Sequence, residues 1–431
     1  MLLPRFRTKA ATTTLVCCWA AAVSFSPRRF YSTAALSTTT TASTVPLATM
    51  ADGKVRMLDL ASAAVACTVS ASRKIRKIAE PLELTTPAAT ASGDAKNTRE
   101  KEDGSFVTDA DFAAQGIIFQ SLKAVCPDIR IVGEESPEEM QQHMDPEFAL
   151  DVNLLRRTRA ELRMRYYKTI APAGSAFPLA TVSPDAAEDD DESEIPTVDS
   201  DNDPDETLID ISRVSCIIDP LDGTRSYARG EYDVVSILIC LLVDDQPYFG
   251  VIGKPFGYTG LPKIRASGCC TIYGGPLIDG VYIAGGGPIV ASPLVRDGPP
   301  ELLPRAVISS SRSKGIVHDF CGIMGEKGLV SPDPMLISGA GEKSMRLILQ
   351  RKNEAIWFFP KPGTSLWDVA APDALLRSLG GKMTDKNGNP MDYSKPREEA
   401  ENIQGLVACI DASLHEECIQ LFKNWEYKEE S

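Results

Sequence analysis

Apolar residues recur at helical spacing from Met57 onward, at Leu58, Ala61, Val65 and Val69, and the run ends in a basic patch from Arg73 to Lys77. The pattern predicts a long first helix with a scaffolding role. A turn at Asp103-Gly104-Ser105 leads through Phe106-Val107 as a short strand. Thr108-Asp109-Ala110-Asp111 then sets capping oxygens ahead of a second helix whose core positions are Phe112, Phe119, Leu122 and Val125. Pro127-Asp128 breaks that helix, and Ile129 to Val132 reads as a strand running into Gly133-Glu134-Glu135.

Between Pro137 and Glu206 the periodicity fades to one helical piece near Leu154 to Tyr167. Pro/Ala/Ser-rich chain follows, and then a run from Asp185 to Glu206 with twelve acids and no base. Such a run reads as a solvated, largely disordered insertion rather than a cation site, because it has no fixed backbone geometry. Val214 to Ile218 is a continuous buried-strand pattern. Val234 to Val243 and Tyr248 to Lys254 read as neighbouring strands joined by an Asp244-Asp245 turn.

Gly/Pro-rich chain with short strands fills Phe256 to Pro300, and the lobe boundary is placed at its start. Beyond it, Ala306–Ser310 and Ala355–Phe359 read as strands. Gly341–Gln350, Val369–Leu379 and Ser413–Lys423 read as helices. The expected organisation is a leader over 1–49, an amino lobe over 50–256 carrying the 137–206 insertion, and a carboxyl lobe over 257–431.

Composition narrows the chemistry. The 431 residues carry a net charge of −14, and the first 49 hold five bases and no acid, so the remainder sits at about −19. A nucleic-acid polymer is excluded as partner, since its affinity rests on Lys/Arg neutralising phosphates. No segment is apolar enough for a membrane span. The eleven cysteines lack CxxC pairs and regular spacing, which predicts reduced, buried thiols. With only His143, His318 and His415 available, catalysis must lean on carboxylates.

The leader is Arg- and Ser/Thr-rich with a short apolar run from Thr14 to Phe25, the composition of an organellar address, mitochondrial or plastid; a start at Met50 would instead leave the protein cytoplasmic.

One turn stands out. Asp219-Pro220-Leu221-Asp222-Gly223-Thr224 follows a buried strand. Proline enforces extension and glycine permits a tight turn, so two carboxylates, a main-chain carbonyl and a hydroxyl converge on one point. Hard divalent cations take oxygen ligands of this kind, and two such ions can clamp a phosphoryl group. Alone, the turn would be an ordinary Asp/Gly turn. It is joined, in order, by Val107-Thr108-Asp109-Ala110-Asp111, Val132-Gly133-Glu134-Glu135-Ser136 and Trp367-Asp368-Val369-Ala370-Ala371-Pro372.

With these four motifs the chain resembles the lithium-sensitive, Mg²⁺-dependent phosphatases related to inositol monophosphatase, over nearly all of 54–425 apart from the acidic run. Phe112 to Gln115, Tyr227 to Gly230 and Ser338 to Lys343 bring it nearest to the 3′(2′),5′-bisphosphate nucleotidases. The resemblance implies an α+β fold, a layered αβαβα sandwich of two lobes like inositol monophosphatase and fructose-1,6-bisphosphatase. It implies Mg²⁺, two or three ions per site. Glu134, Asp219 and the Leu221 carbonyl would hold one, and Asp219, Asp222 and Asp368 another; Glu134 is preferred to Glu135 by resemblance alone. Asp111 and Thr224 would orient and deprotonate the attacking water.

Gly223, Thr224, Ser311, Lys314, Gly339 and Lys343 would contact substrate. Gly339 to Gly341 would open a helix whose amides, with Lys343, suit a second phosphate. Lys314 stands where animal enzymes of the family carry His, which puts base or sugar preference in question.

The implied reaction is hydrolysis of 3′-phosphoadenosine 5′-phosphate to AMP and phosphate, a place in sulfur metabolism, with 3′-phosphoadenosine 5′-phosphosulfate as a further substrate. Inositol polyphosphate 1-phosphatase or inositol monophosphatase is the neighbouring alternative, and a non-catalytic phospho-metabolite binder the distant one. The expected partner is a small phosphomonoester, and a monomer is the expected state.

Overall fold

The computed structural model describes residues 53–83, 98–100, 106–170, 207–264 and 268–427, all within the compact unit Val45–Ser431. The expected leader and the acidic run 185–206 lie outside the described residues.

Strand β1 (Lys54–Arg56) runs directly into helix α1 (Met57–Glu83), which continues past the basic patch expected to end it because Ile75 and Ala79 prolong the buried stripe. Strand β2 (Thr98–Glu100) pairs antiparallel with β3 (Phe106–Thr108), and helix α2 (Asp109–Val125) starts on the Thr108 cap. Strand β4 (Arg130–Gly133) follows. Residues 137–170 begin the stretch expected to be largely disordered but fold into helices α3 (Pro137–His143) and α4 (Val152–Ile170), the second over the helical piece expected near Leu154 to Tyr167. Leu154, Leu155, Leu162 and Tyr166 bury on α4, and Arg159 pairs with Asp59 of α1. Four apolar anchors scattered among many charges give a weak periodic signal, but tertiary packing uses them fully.

Strand β5 (Leu208–Asp210) pairs with β1, and β6 (Val214–Asp222) is buried along its whole length. Short helix α5 (Thr224–Ala228) follows. Strands β7 (Ser236–Val243) and β8 (Gln246–Lys254) form the expected hairpin, with Asp244 and Asp245 both at positive φ, 51° and 56°, as a two-residue turn matched to strand twist requires. Strands β9 (Cys270–Gly275), β10 (Gly280–Ile283) and β11 (Pro288–Ile289) then extend the same sheet, in the order β11-β10-β9-β8-β7-β6-β4. The expected boundary at 256/257 therefore falls inside one sheet. Because Cys270 pairs with Lys254, the change of sheet comes only between Ile289 and Arg305.

The second sheet is built from β12 (Arg305–Ser309), β13 (Met335–Ile337), β14 (Glu354–Phe359), β15 (Lys382–Thr384) and β16 (Leu406–Cys409), in the order β13-β12-β14-β16-β15. Helices α6 (Ile316–Glu326), α7 (Ala340–Leu349), α8 (Leu366–Ser378) and α9 (Ala412–Asn424) accompany it.

The layering follows from strand alternation. On β7, Ile237, Ile239 and Leu241 join the core containing α1 and α2. Leu238, Cys240 and Leu242 join the core that holds α7, α8 and the second sheet. Phe320 of α6 and Leu414 of α9 close the outer face of that second sheet. The result is the expected αβαβα sandwich. Helix α8 lies so close to β8 that a Cβ on Gly250 would come within 2.5 Å of the Ala371 carbonyl oxygen. The nine described cysteines are all buried free thiols, and no described helix is long and apolar enough to cross a membrane.

Candidate active site

The first sheet delivers two acids to one end, and helix α8 adds a third. Strand β6 carries Asp219 and Asp222 at its carboxyl end, where its register with β7 shifts between them, and Gly223 at φ +88° turns the chain into α5. The Leu221 amide donates to Asp219 Oδ1 at 3.1 Å, which fixes the turn from within. Helix α8 supplies Asp368 as the third residue of a capping box, its Oδ2 accepting the Ser365 amide at 2.6 Å. Among the described residues, Asp219, Asp222 and Asp368 bring carboxylate oxygens within 4.8 Å of one another.

Glu134 sits on the loop after β4, which parallels β6, and its amide donates to the Ile218 carbonyl at 3.2 Å. Gln115 of α2 clamps the next residue, Nε2 donating to the Glu135 carbonyl and Oε1 accepting its amide, while Arg397 reaches the carbonyls of Gly133 and Glu134. The charge of Glu134 bears on Asp219, and that of Glu135 on Asp111.

Burial raises Asp219 well above the usual carboxylate range, and the charges of Glu134, Asp222 and Asp368 push the same way. Burial, then Asp222, pushes Asp368 up to about 6. A cluster of buried, mutually repelling carboxylates is costly by itself and becomes favourable around a hard cation, whose preferred donors are oxygens. The three clustered aspartates, Asp219, Asp222 and Asp368, therefore fit a divalent ion.

Next to the acids lies a hydroxyl–carboxylate pair. Thr224 opens α5 and its Oγ1 lies 3.0 Å from Asp111 Oδ1 and 3.0 Å from the Leu221 carbonyl oxygen. Asp111 is fully buried, and its other oxygen accepts the Thr108 amide at 2.8 Å and the Thr108 hydroxyl at 2.5 Å. Burial pushes Asp111 up to about 7, against the lowering effect of the Thr108 hydroxyl. The capping oxygen of α2 is Thr108, so Asp111 caps the helix and faces Thr224 at once.

The expected substrate contacts divide. Gly223 lies at the turn beside the acids, but Ser311 and Lys314 are exposed in the turn after β12. Gly339 caps α7 as expected, yet the amides it presents are taken: Ala340 N donates to Asp222 Oδ1 at 2.9 Å and Gly341 N to Oδ2 at 2.8 Å. The helix end that was to receive a second phosphate holds the Asp222 carboxylate instead. Lys343 is buried with Nζ on the Gly339 carbonyl at 2.6 Å and over the Trp357 ring. Burial lowers it to about 8 even though Asp222 and Asp368 pull upward.

Sequence reasoning passed over Arg312, whose charge bears on both Asp368 and Lys343. The available signal was a base between Ser311 and Lys314 in a loop beyond a strand's carboxyl end.

Residues 189–425 match the model of the inositol monophosphatase family. A protein of Dictyostelium discoideum named 3′(2′),5′-bisphosphate nucleotidase 1 is 32% identical over 218 residues, covering 48% of this chain and 63% of that one. Its human namesake is 31% identical over 199 residues, covering 45% and 56%. A putative inositol monophosphatase 3 of Drosophila pseudoobscura pseudoobscura is 25% identical over 305 residues, covering 70% and 66%. The chain thus spans less than two thirds of these relatives' lengths. Among solved structures, the extragenic suppressor protein suhB of Bartonella henselae superposes with a TM-score of 0.50 at 14% identity, over 85% of this chain and 99% of that chain, a likeness of fold.

Proposed function

The chain belongs to the inositol monophosphatase family, and from that premise we propose that it is a Mg²⁺-dependent phosphomonoesterase whose substrate is a 3′(2′),5′-bisphosphate nucleotide, 3′-phosphoadenosine 5′-phosphate first, with release of AMP and phosphate. The observation that carries the reading is the 3.0 Å contact between Thr224 and Asp111, set against three clustered carboxylates. A protein that only bound phosphorylated metabolites would have no use for a pair that positions a water.

When bound, Mg²⁺ supplies positive charge against the phosphoryl oxygens and lowers the proton affinity of water. The chain's own groups do the rest. Ionised Asp111 takes the Thr224 proton as a hydrogen bond, which leaves a lone pair on Thr224 Oγ1 to accept from the attacking water and hold it in line with phosphorus. As the bond to phosphorus forms and the P–O ester bond breaks, the water's proton passes to this pair, and the leaving ester oxygen takes a proton from a solvent water to become the free hydroxyl. Burial of Asp111 at 0% exposure keeps bulk solvent from competing for the proton.

Relatives named inositol monophosphatase 3 in Drosophila and Danio rerio support a second reading, an inositol phosphate substrate. Phosphate release by the full chain with Mg²⁺ separates the two. Preference for 3′-phosphoadenosine 5′-phosphate over inositol 1,4-bisphosphate supports the nucleotidase, the reverse preference its neighbour. Absence of metal-dependent release from either would leave a binding protein.

A further inference from the structure

The geometry points to Arg312 and Lys361 as the subsite for a second, non-reacting phosphate of the substrate, an inference that rests on the phosphomonoesterase reading. Strands β12 and β14 are parallel neighbours, so the segments after their carboxyl ends emerge side by side, where open sheets bind ligands. Arg312 lies in the first segment and Lys361 in the second. Both charges meet over one ring: the Arg312 guanidinium carbon is 5.0 Å from the Phe359 centroid and Lys361 Nζ is 5.6 Å from it.

Two like charges beside one ring repel each other, and among the described residues neither is in an ion pair. Arg312 is fixed instead by a bond from Nη1 to the Gly363 carbonyl. Gly363 has φ +118°, and a Cβ there would lie 2.2 Å from that same Nη1, so a glycine makes room for the guanidinium. An anion completes such an arrangement, and a planar guanidinium with an ammonium beside it suits phosphate oxygens.

Position agrees with charge. The Arg312 charge bears on Asp368 and on Lys343, and Lys361 lies beside Arg312 over the same ring. The rival anchor is spent internally, since the first α7 amides hold Asp222 and Lys343 holds the Gly339 carbonyl. A bisphosphate would present its reacting phosphate to the acids and its other phosphate to Arg312 and Lys361.

The test reads binding without turnover. Calorimetry with the full chain and Mg²⁺ compares AMP, which carries only the non-reacting phosphate, with adenosine. The wild type should bind AMP at least about tenfold more tightly, and Arg312→Gln with Lys361→Gln should collapse that preference to about twofold. The charge-keeping Arg312→Lys should restore part of it. In turnover, the kcat/KM ratio of 3′-phosphoadenosine 5′-phosphate to 3′-AMP should fall about tenfold in the double variant, carried by KM. An unchanged AMP preference in the double variant, or none in the wild type, would overturn the subsite. If no substrate released phosphate while the AMP preference still vanished in the variant, the phosphatase reading would fail and the subsite would stand.

Discussion

Thr224 Oγ1 lies 3.0 Å from Asp111 Oδ1, although 113 positions separate them in the chain. The hydroxyl carries one proton and has two acceptors in reach, Asp111 and the Leu221 carbonyl. Which one it serves depends on whether Asp111 is ionised.

Replacing Asp111 by Asn keeps the shape but removes the proton acceptor. We expect kcat to fall by about 10²-fold or more, with Mg²⁺ affinity within a few-fold of wild type. Wild-type activity should climb as pH rises through the ionisation of Asp111, at or below the metal-free value of about 7 because bound cations favour the carboxylate. A pH–rate profile of the variant that kept the same ascending limb would remove Asp111 from the proton path.

Metal-free stability has a predictable slope. Asp111, Asp368 and Asp219 all have folded values raised above the ordinary carboxylate range, to about 7, to about 6 and well above it, first by burial in each case. A raised carboxyl favours the protonated fold, so stability is fully present below the unfolded value and is lost as pH rises through the folded one. In EDTA, Tm should therefore drop by several degrees, about 1 kcal/mol or more, between about pH 4.5 and 8. Mg²⁺ should restore more Tm at pH 8 than at pH 5, by differential scanning fluorimetry.

Asp219→Asn should divide function from stability. Loss of a shared ligand should abolish Mg²⁺-dependent phosphate release, while removal of the most strongly opposed buried charge should raise the metal-free Tm at pH 8 by about 2–5 °C. A fall in that Tm would mean that the carboxylate is structural.

The Gly339 backbone has φ +76°, and a Cβ there would stand 2.9 Å from the Val234 carbonyl oxygen and 3.0 Å from Asp222 Oδ2. Gly339→Ala should cost about 1–3 kcal/mol and weaken Mg²⁺ activation about tenfold by displacing Asp222. Denaturant titration and a Mg²⁺ dependence of rate check both parts.

Lys254 of β8 is 1% exposed and bonds Glu342 of α7 at 2.8 Å and the Asp233 carbonyl at 2.7 Å, linking the two halves beneath the site. Lys254→Met should destabilise by about 3 kcal/mol because Glu342 loses its buried partner and is left with Arg346 as its ion-pair partner, and adding Glu342→Gln should recover part of the loss. Additive losses would show that the pair is not coupled.

The parts legible in the sequence are those where one local pattern does two jobs. Val214 to Asp222 announces both a buried strand and its terminal acids, and Thr108 to Asp111 both a helix cap and a carboxylate. What stayed hidden depends on distant partners. Asp222 and the α7 amides are each visible alone, but their bond across 118 positions is a product of packing. Arg312 owes its place to Gly363, and α4 owes its stability to α1; neither relation has a local signature. The short strands expected in the Gly/Pro-rich chain, β9 to β11, continue the first sheet, so the lobe boundary set at the start of that chain falls inside it: which sheet a short strand joins has no local signature.

The bond from the α7 amides to Asp222 also has a meaning during synthesis. A nascent chain that has emerged only through β8 carries Asp219 and Asp222 at a strand end, with neither the amides nor Asp368 to complete the set. The three clustered carboxylates are complete only after α8 has been made and has docked, some hundred and ten residues beyond β8. A cation that needs all three would therefore find its full set of ligands only late in synthesis.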